Sequence, residues 1–132
     1  MNDTAPEQPL VSIVIPTYNR AHVLAYAVRS VLDQTYTNLE LIIVDDNSPD
    51  NTRAVVDSFK DERIRYVKNE PNLKLPRTLN KGFSLAKGSF LTWTSDDNLY
   101  ANNAIEKMVA TLQAGNCGFV YGRSASRPNT RG

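Results

Sequence analysis

Cysteine, histidine and tryptophan occur once each in this sequence, as Cys117, His22 and Trp93. One cysteine excludes an internal disulfide and a cysteine-built zinc cluster. Between Gly115 and Val120 it reads as a small buried hydrophobe, which fits a reducing, cytoplasmic compartment. His22 falls in the first turn of an amphipathic segment, where a surface position is expected rather than a catalytic one. Trp93 ends an apolar run and is expected in the core. Charge is nearly balanced: 15 basic against 14 acidic residues leave a net charge of +1. No global field therefore draws in nucleic acid or an anionic membrane, and an anionic ligand must be held by local groups. No apolar run approaches the roughly 20 residues of a membrane span. Glycine-rich phosphate loops are missing too. No Gly-x-Gly-x-x-Gly follows the first apolar run, and no Gly-x-x-x-x-Gly-Lys-Ser/Thr occurs anywhere. A dinucleotide fold of the usual kind and a P-loop are thereby disfavoured and excluded, respectively.

What is present is a chain of 132 residues with 41% hydrophobic and 22% charged residues, the make-up of one globular domain. Residues 1–9 read as a loose polar leader, 10–122 as the domain, and 123–132 as a loop or frayed end. Leu10 to Ile15 is a β-branched run closed by Pro16, a buried strand. Val23, Leu24, Ala27, Val28, Val31 and Leu32 recur at helical spacing from Ala21 to about Gln34, with Asn19 as N-cap. Leu39–Val44 is a second buried strand and opens into Asp45-Asp46-Asn47-Ser48-Pro49-Asp50, a turn-forming stretch. A helix over about Asn51–Phe59 and a short strand at Ile64–Val67 follow. The next helix spans about Pro76–Ala86 and is stopped by Gly88. Phe90–Thr94 is a strand, about Ala101–Ala114 a helix, and Phe119–Tyr121 a fifth strand. Alternating strands and helices with continuously apolar strands specify an α/β, Rossmann-like fold: a mostly parallel sheet with helices on both faces.

In such a sheet ligands bind beyond the carboxyl ends of the strands. Three strand ends carry polar clusters: Thr17-Tyr18-Asn19, Asp45-Asp46, and Asp96-Asp97. Adjacent carboxylates repel unless a cation or hydrogen-bond donors compensate, and a hard oxygen pair suits Mg²⁺ or Mn²⁺. Turn capping by Asp96 with a solvated Asp97 is the competing reading. Asp45, flush with the end of its strand, is expected to project into the crevice and accept an imide N–H from a uracil or thymine ring. Asp46 reads as turn chemistry. Tyr18 offers a ring for base stacking, worth about 1–3 kcal/mol, or packs at the sheet edge. Lys74 and Arg77 bring positive charge to the start of the third helix, toward a diphosphate or into solvent.

Taken together, the segments Val11–Arg20, Ser30–Tyr36, Leu41–Ser48 and Gly88–Asp97 resemble the family-two inverting glycosyltransferases of GT-A fold. The likeness runs from about Leu10 to Leu112 in order and spacing. It implies a UDP- or dTDP-sugar donor, with Thr17 and Tyr18 on the nucleoside, Asp45 on the base and Asp96 on the ribose. Asp97 would bind Mn²⁺ or Mg²⁺ against the diphosphate, with Lys74 or Arg77 adding positive charge. Thr94 stands where the family commonly has Asp, which leaves metal binding to Asp97. Leu79-Asn80 stands where it often has Arg-Asn. An inverting transfer needs a general base for the acceptor hydroxyl, and the resemblance places that carboxylate beyond residue 132. The chain is thus expected to be a donor-binding half, acting with a carbohydrate or glycolipid acceptor. A non-catalytic nucleotide-sugar-binding module and a nucleotidyltransferase of related fold are the alternatives. The sheet edge of a half-domain would also offer a surface for self-association.

Overall fold

A computed structural model describes residues 8–114. Strands and helices alternate: β1 (Val11–Thr17), α1 (Ala21–Leu32), β2 (Leu39–Asp45), α2 (Thr52–Asp57), β3 (Ile64–Lys68), α3 (Lys74–Leu85), β4 (Phe90–Trp93) and α4 (Ala104–Gln113). The four strands form one sheet in the order β3-β2-β1-β4, and every pairing is parallel. The α/β reading from the sequence is found as expected. The fifth strand at Phe119–Tyr121 and the position of Cys117 lie outside the described residues.

Period-two alternation divides the strand side chains between two helical layers. Val11, Ile13, Ile15, Leu39, Leu41 and Ile43 share one face and pack with α1, α2 and α4 through Leu24, Val28, Val56, Ile105 and Met108. Val14, Ile42 and Val44 face the other way, against Leu79, Phe83 and Leu85 of α3. Burying each such aliphatic side chain stabilises by about 1.5–3 kcal/mol, so these central strands are the anchor of the fold. Chain order runs outward from β1 to β3, then α3 crosses back over β2 and β1 to start β4 on the far side. That reversal opens a crevice at the carboxyl ends of β1 and β4.

Several local expectations are corrected. Asn19 does not cap α1: it adopts φ 55°, and the N-cap position is Arg20, with no side-chain cap of its own. The Ala21 N–H is capped instead by Asp50 Oδ2 at 3.0 Å, a group from the loop after β2. Helix α1 ends at Leu32 rather than Gln34, since Gln34 turns its amide to Ala101 O and Ile105 N and anchors α4. Residues 101–103 form a turn before α4 rather than its first residues. Gly88 does not stop α3. A Cβ there would come within 2.6 Å of Leu10 O and 2.8 Å of Ser12 N, so glycine is required by the close approach of two backbones. Trp93 is not core. It is 44% exposed on β4, the outer strand of the sheet among the described residues, whereas α3 packs mainly on β1 and β2.

Candidate functional site

The loops after β1 and β2 are stitched together before they reach any ligand. Asn47 (φ 71°) and Asn19 both occupy the left-handed region, which asparagine tolerates better than most residues. Asn19 N–H donates to Ser48 Oγ at 2.7 Å, and Asp46 N–H donates to Thr17 O at 2.9 Å. Together with the Asp50 cap on α1, these bonds fix the two strand ends relative to each other.

A cleft of about 180 Å³ lies where those ends meet α3, lined by Pro16, Thr17, Tyr18, Arg20, Asp46, Leu75, Thr78 and Asp96. A second recess of about 430 Å³ shares Tyr18, Asp46 and Leu75 with it and adds Asn47, Asn72 and Lys74. The Tyr18 ring stands 49% exposed between them, free to take a planar ligand on its face. Thr17 is buried, and its hydroxyl donates to Asp96 Oδ2 at 2.9 Å, tying β1 to the loop after β4.

The two adjacent aspartates at the end of β2 are placed differently from the sequence expectation. Asp45 does not reach the crevice. Its carboxylate accepts the Ser48 N–H at 2.9 Å and the Tyr66 hydroxyl, and it lines neither recess. The reason is strand parity: Asp45 follows Leu41 and Ile43 onto the α1 side, while Asp46 follows Ile42 and Val44 onto the α3 side, where the crevice opens. Asp46 is no plain turn residue. It accepts from Asn69 Nδ2 at 2.8 Å, Leu73 N at 2.6 Å and Lys74 N at 2.9 Å, and so anchors the first turn of α3. Burial alone would push its carboxyl up, but these donors outweigh burial and hold it below the usual carboxylate range. Thr78 adds a further side-chain hydrogen bond, so four partners hold the carboxylate where it lines both recesses.

The Asp96–Asp97 pair sits on the other lip. Asp96 is buried and Asp97 half exposed. Burial, helped by the charge of Asp97, raises the Asp96 carboxyl against the opposing pull of Thr17 and Arg20. Asp97 accepts from Ser95 Oγ at 3.1 Å and from Arg20 Nη1 at 3.2 Å. Arg20 Nε stands 3.8 Å from Asp96 Oδ1. No group of three or more His, Cys, Asp or Glu residues gathers as a metal cluster among the described residues. One or two carboxylates fit Mg²⁺ or Mn²⁺, which keep waters and take further oxygens from a phosphate. They do not fit a structural zinc site.

Lys74 heads α3 beside Asp46 and lines the second recess, whereas Arg77 is exposed on α3 and lines neither. His22 is exposed, as expected. Arg20, Asp46 and Thr78 belong to the site and were not singled out from the sequence. Parity along Leu41–Val44 sets Asp46 and Asp45 on opposite sides without saying which side becomes the cleft, and nothing local marked Arg20 or Thr78.

Comparison with known proteins agrees with this geometry. The model of the family described as Glycosyl transferase family 2 matches residues 12–132. The Escherichia coli UDP-Glc:alpha-D-GlcNAc-diphosphoundecaprenol beta-1,3-glucosyltransferase WfgD is 37% identical over 113 residues, 86% of this chain and 45% of that protein. A Campylobacter jejuni GalNAc(5)-diNAcBac-PP-undecaprenol beta-1,3-glucosyltransferase is 34% identical over 116 residues, 86% of this chain and 37% of its own length. Among solved structures, the mannosyltransferase PcManGT from Pyrobaculum calidifontis, in complex with GDP-Man and Mn²⁺, matches with a TM-score of 0.73 and 26% identity. The match covers 81% of this chain and 34% of that one. The S. aureus TarS 1-349 complex with UDP-GlcNAc matches with a TM-score of 0.75 at 22% identity, covering 79% of this chain and 31% of that one, and speaks for the fold alone. The chain spans less than half the length of these curated relatives, 45% and 37%. The fold is the GT-A type, and the chain belongs to glycosyl transferase family 2.

Proposed function

We propose that this chain forms the donor-binding part of a glycosyltransferase that takes a UDP- or dTDP-sugar with Mn²⁺ or Mg²⁺ and transfers the sugar with inversion to a carbohydrate or glycolipid hydroxyl. The observation that carries the reading is the convergence of Thr17, Tyr18, Asp46 and Asp96 on one cleft from three strand ends. Family membership and the nucleotide-sugar-using relatives support it.

In this reading the Tyr18 ring stacks on the base, and the Asp46 carboxylate, which lines both recesses, accepts the imide N–H of uracil or thymine. That assigns to Asp46 the role expected of Asp45, which lines neither recess. Thr17 holds Asp96 in place for the ribose hydroxyls. Lys74 adds charge beside the second recess, and Arg77 is left as a solvated cation of α3. Asp97 is the metal ligand, with Asp96 behind it. When bound, the metal supplies a Lewis acid that stabilises the departing nucleoside diphosphate. Apolar Pro16 and Leu75 in the cleft wall exclude water from one side of the base. No described carboxylate outside these pairs faces the cleft, so deprotonation of the acceptor hydroxyl is assigned to a group outside residues 8–114. No helix among the described residues is long and apolar enough to cross a membrane, and the single cysteine fits a cytoplasmic setting.

Calorimetric titration with UDP, with and without Mn²⁺, tests the reading. Binding that needs Mn²⁺ and is lost in Asp97→Ala is expected. Equal binding by Asp97→Ala would remove the metal role, and no binding by the folded chain would remove the donor site. Acceptor-dependent sugar release separates a transferase from a binding module, and pyrophosphate release would mark a nucleotidyltransferase instead.

A further inference from the structure

Arg20 has no part in the reading above, yet it touches both acidic residues on the lip of the cleft. Its Nη1 lies 3.2 Å from Asp97 Oδ2 and its Nε 3.8 Å from Asp96 Oδ1. The two carboxylates come from the loop after β4 and the guanidinium from the residue before α1, so the contact spans 77 positions of sequence. The Arg20 side chain is 50% exposed and lines the same cleft as Thr17, Tyr18 and Asp46. A divalent ion bound at Asp97 sits beside the oxygen that Arg20 holds, and two cations at such short range repel and draw on the same carboxylate charge.

We propose that Arg20 is a tethered cation that competes with a divalent ion for Asp97 and, once displaced, passes to the diphosphate of the donor. The proposal rests on the donor-site reading and adds a positioning residue to it. A planar guanidinium with five donors matches phosphate oxygens in pairs. An exposed side chain rooted at the mouth of the cleft can exchange one oxygen pair for another without moving the backbone. Metal and nucleotide would then bind as a coupled pair. The ion alone meets a resident competitor, whereas the ion with a diphosphate offers that competitor a new partner.

The test uses the whole 132-residue chain, with wild type, Arg20→Gln and Arg20→Lys compared. Free Mn²⁺ is measured by electron paramagnetic resonance during titration without nucleotide, and UDP affinity is then measured calorimetrically at saturating Mn²⁺. Thermal unfolding confirms that each variant is folded. Arg20→Gln is expected to bind Mn²⁺ alone about two- to fivefold tighter, the worth of an exposed ion pair. The same variant is expected to bind UDP with Mn²⁺ about tenfold more weakly, the worth of a charged hydrogen bond. Arg20→Lys should fall between wild type and Arg20→Gln in both. Mn²⁺ bound by wild type and Arg20→Gln with equal affinity overturns the competition, and unchanged UDP affinity overturns the transfer to diphosphate. Failure of both chains to take up either Mn²⁺ or UDP refutes the donor site itself and takes this proposal with it.

Discussion

Replacing Asp46 should cost more stability than its place in a surface turn suggests. Its carboxylate is buried and accepts from Asn69 Nδ2, Leu73 N and Lys74 N, at 2.8, 2.6 and 2.9 Å. Each buried donor left without an acceptor costs about 1–3 kcal/mol. The two backbone donors sit at the head of α3, where water can reach part of the space vacated. Asp46→Ala is therefore expected to lose about 2–4 kcal/mol, and Asp46→Asn, which keeps one acceptor oxygen, about 1–3 kcal/mol. The sign with pH follows from the carboxyl being held below its usual range. A depressed acid stabilises the fold above its unfolded-state pKa, near 3.9, and that contribution is lost as pH falls through the folded-state value. The gap between wild type and Asp46→Asn should therefore be full at pH 7 and close on acidification below about pH 4. Urea unfolding followed by circular dichroism at several pH values measures it. A loss under about 0.5 kcal/mol at pH 7, or a gap that widens in acid, would refute the argument that Asp46 anchors α3.

Three further outcomes are expected. Gly82→Ala should destabilise by about 1–3 kcal/mol, because a Cβ would meet Val14 Cγ1 at 2.5 Å under α3; an unchanged urea midpoint would show that α3 can lift off the sheet freely. Lys74 carries φ 71°, so Lys74→Gly should stabilise by about 0.5–1 kcal/mol while weakening UDP binding; thermal unfolding and calorimetry read the two effects separately, and a lower Tm would count against strain at this position. Burial raises the Asp96 carboxyl, so its ionised form opposes folding above the ordinary carboxylate range. Asp96→Asn should accordingly unfold at higher temperature than wild type at pH 7, with the difference fading as pH falls through the raised value, and should bind UDP poorly; an advantage that grew in acid would reverse the assigned sign.

The framework of the fold was legible because its strands are short, β-branched and bounded by turn residues. Leu39–Val44 and Leu10–Ile15 were readable as buried strands, and their alternation with helical spacing left few architectures open. Boundaries were less legible where distant groups decide them. Asn19 has the chemistry of a cap, but Asp50 supplies it, from a loop that only the β1–β2 pairing brings near. Gly88 looks like a helix stop and instead permits contact with the Leu10–Ser12 backbone. Trp93 has the composition of a core residue, yet it stands exposed on β4, whereas α3 packs mainly on β1 and β2.

The sequence by itself determined the α/β class, the three polar strand ends and the acidic pair at Asp96–Asp97. These follow from local periodicity and from the rule that parallel strands open their carboxyl ends on one edge. Tertiary structure alone decided which of the two adjacent aspartates faces the cleft. Neighbouring strand residues point to opposite sides, and the side that becomes a crevice depends on where α3 crosses. It also decided that Arg20 meets Asp97, since no periodicity links a residue before α1 to one after β4. A single strand fixes the spacing of its side chains, but only the packed layers fix which of them share a space.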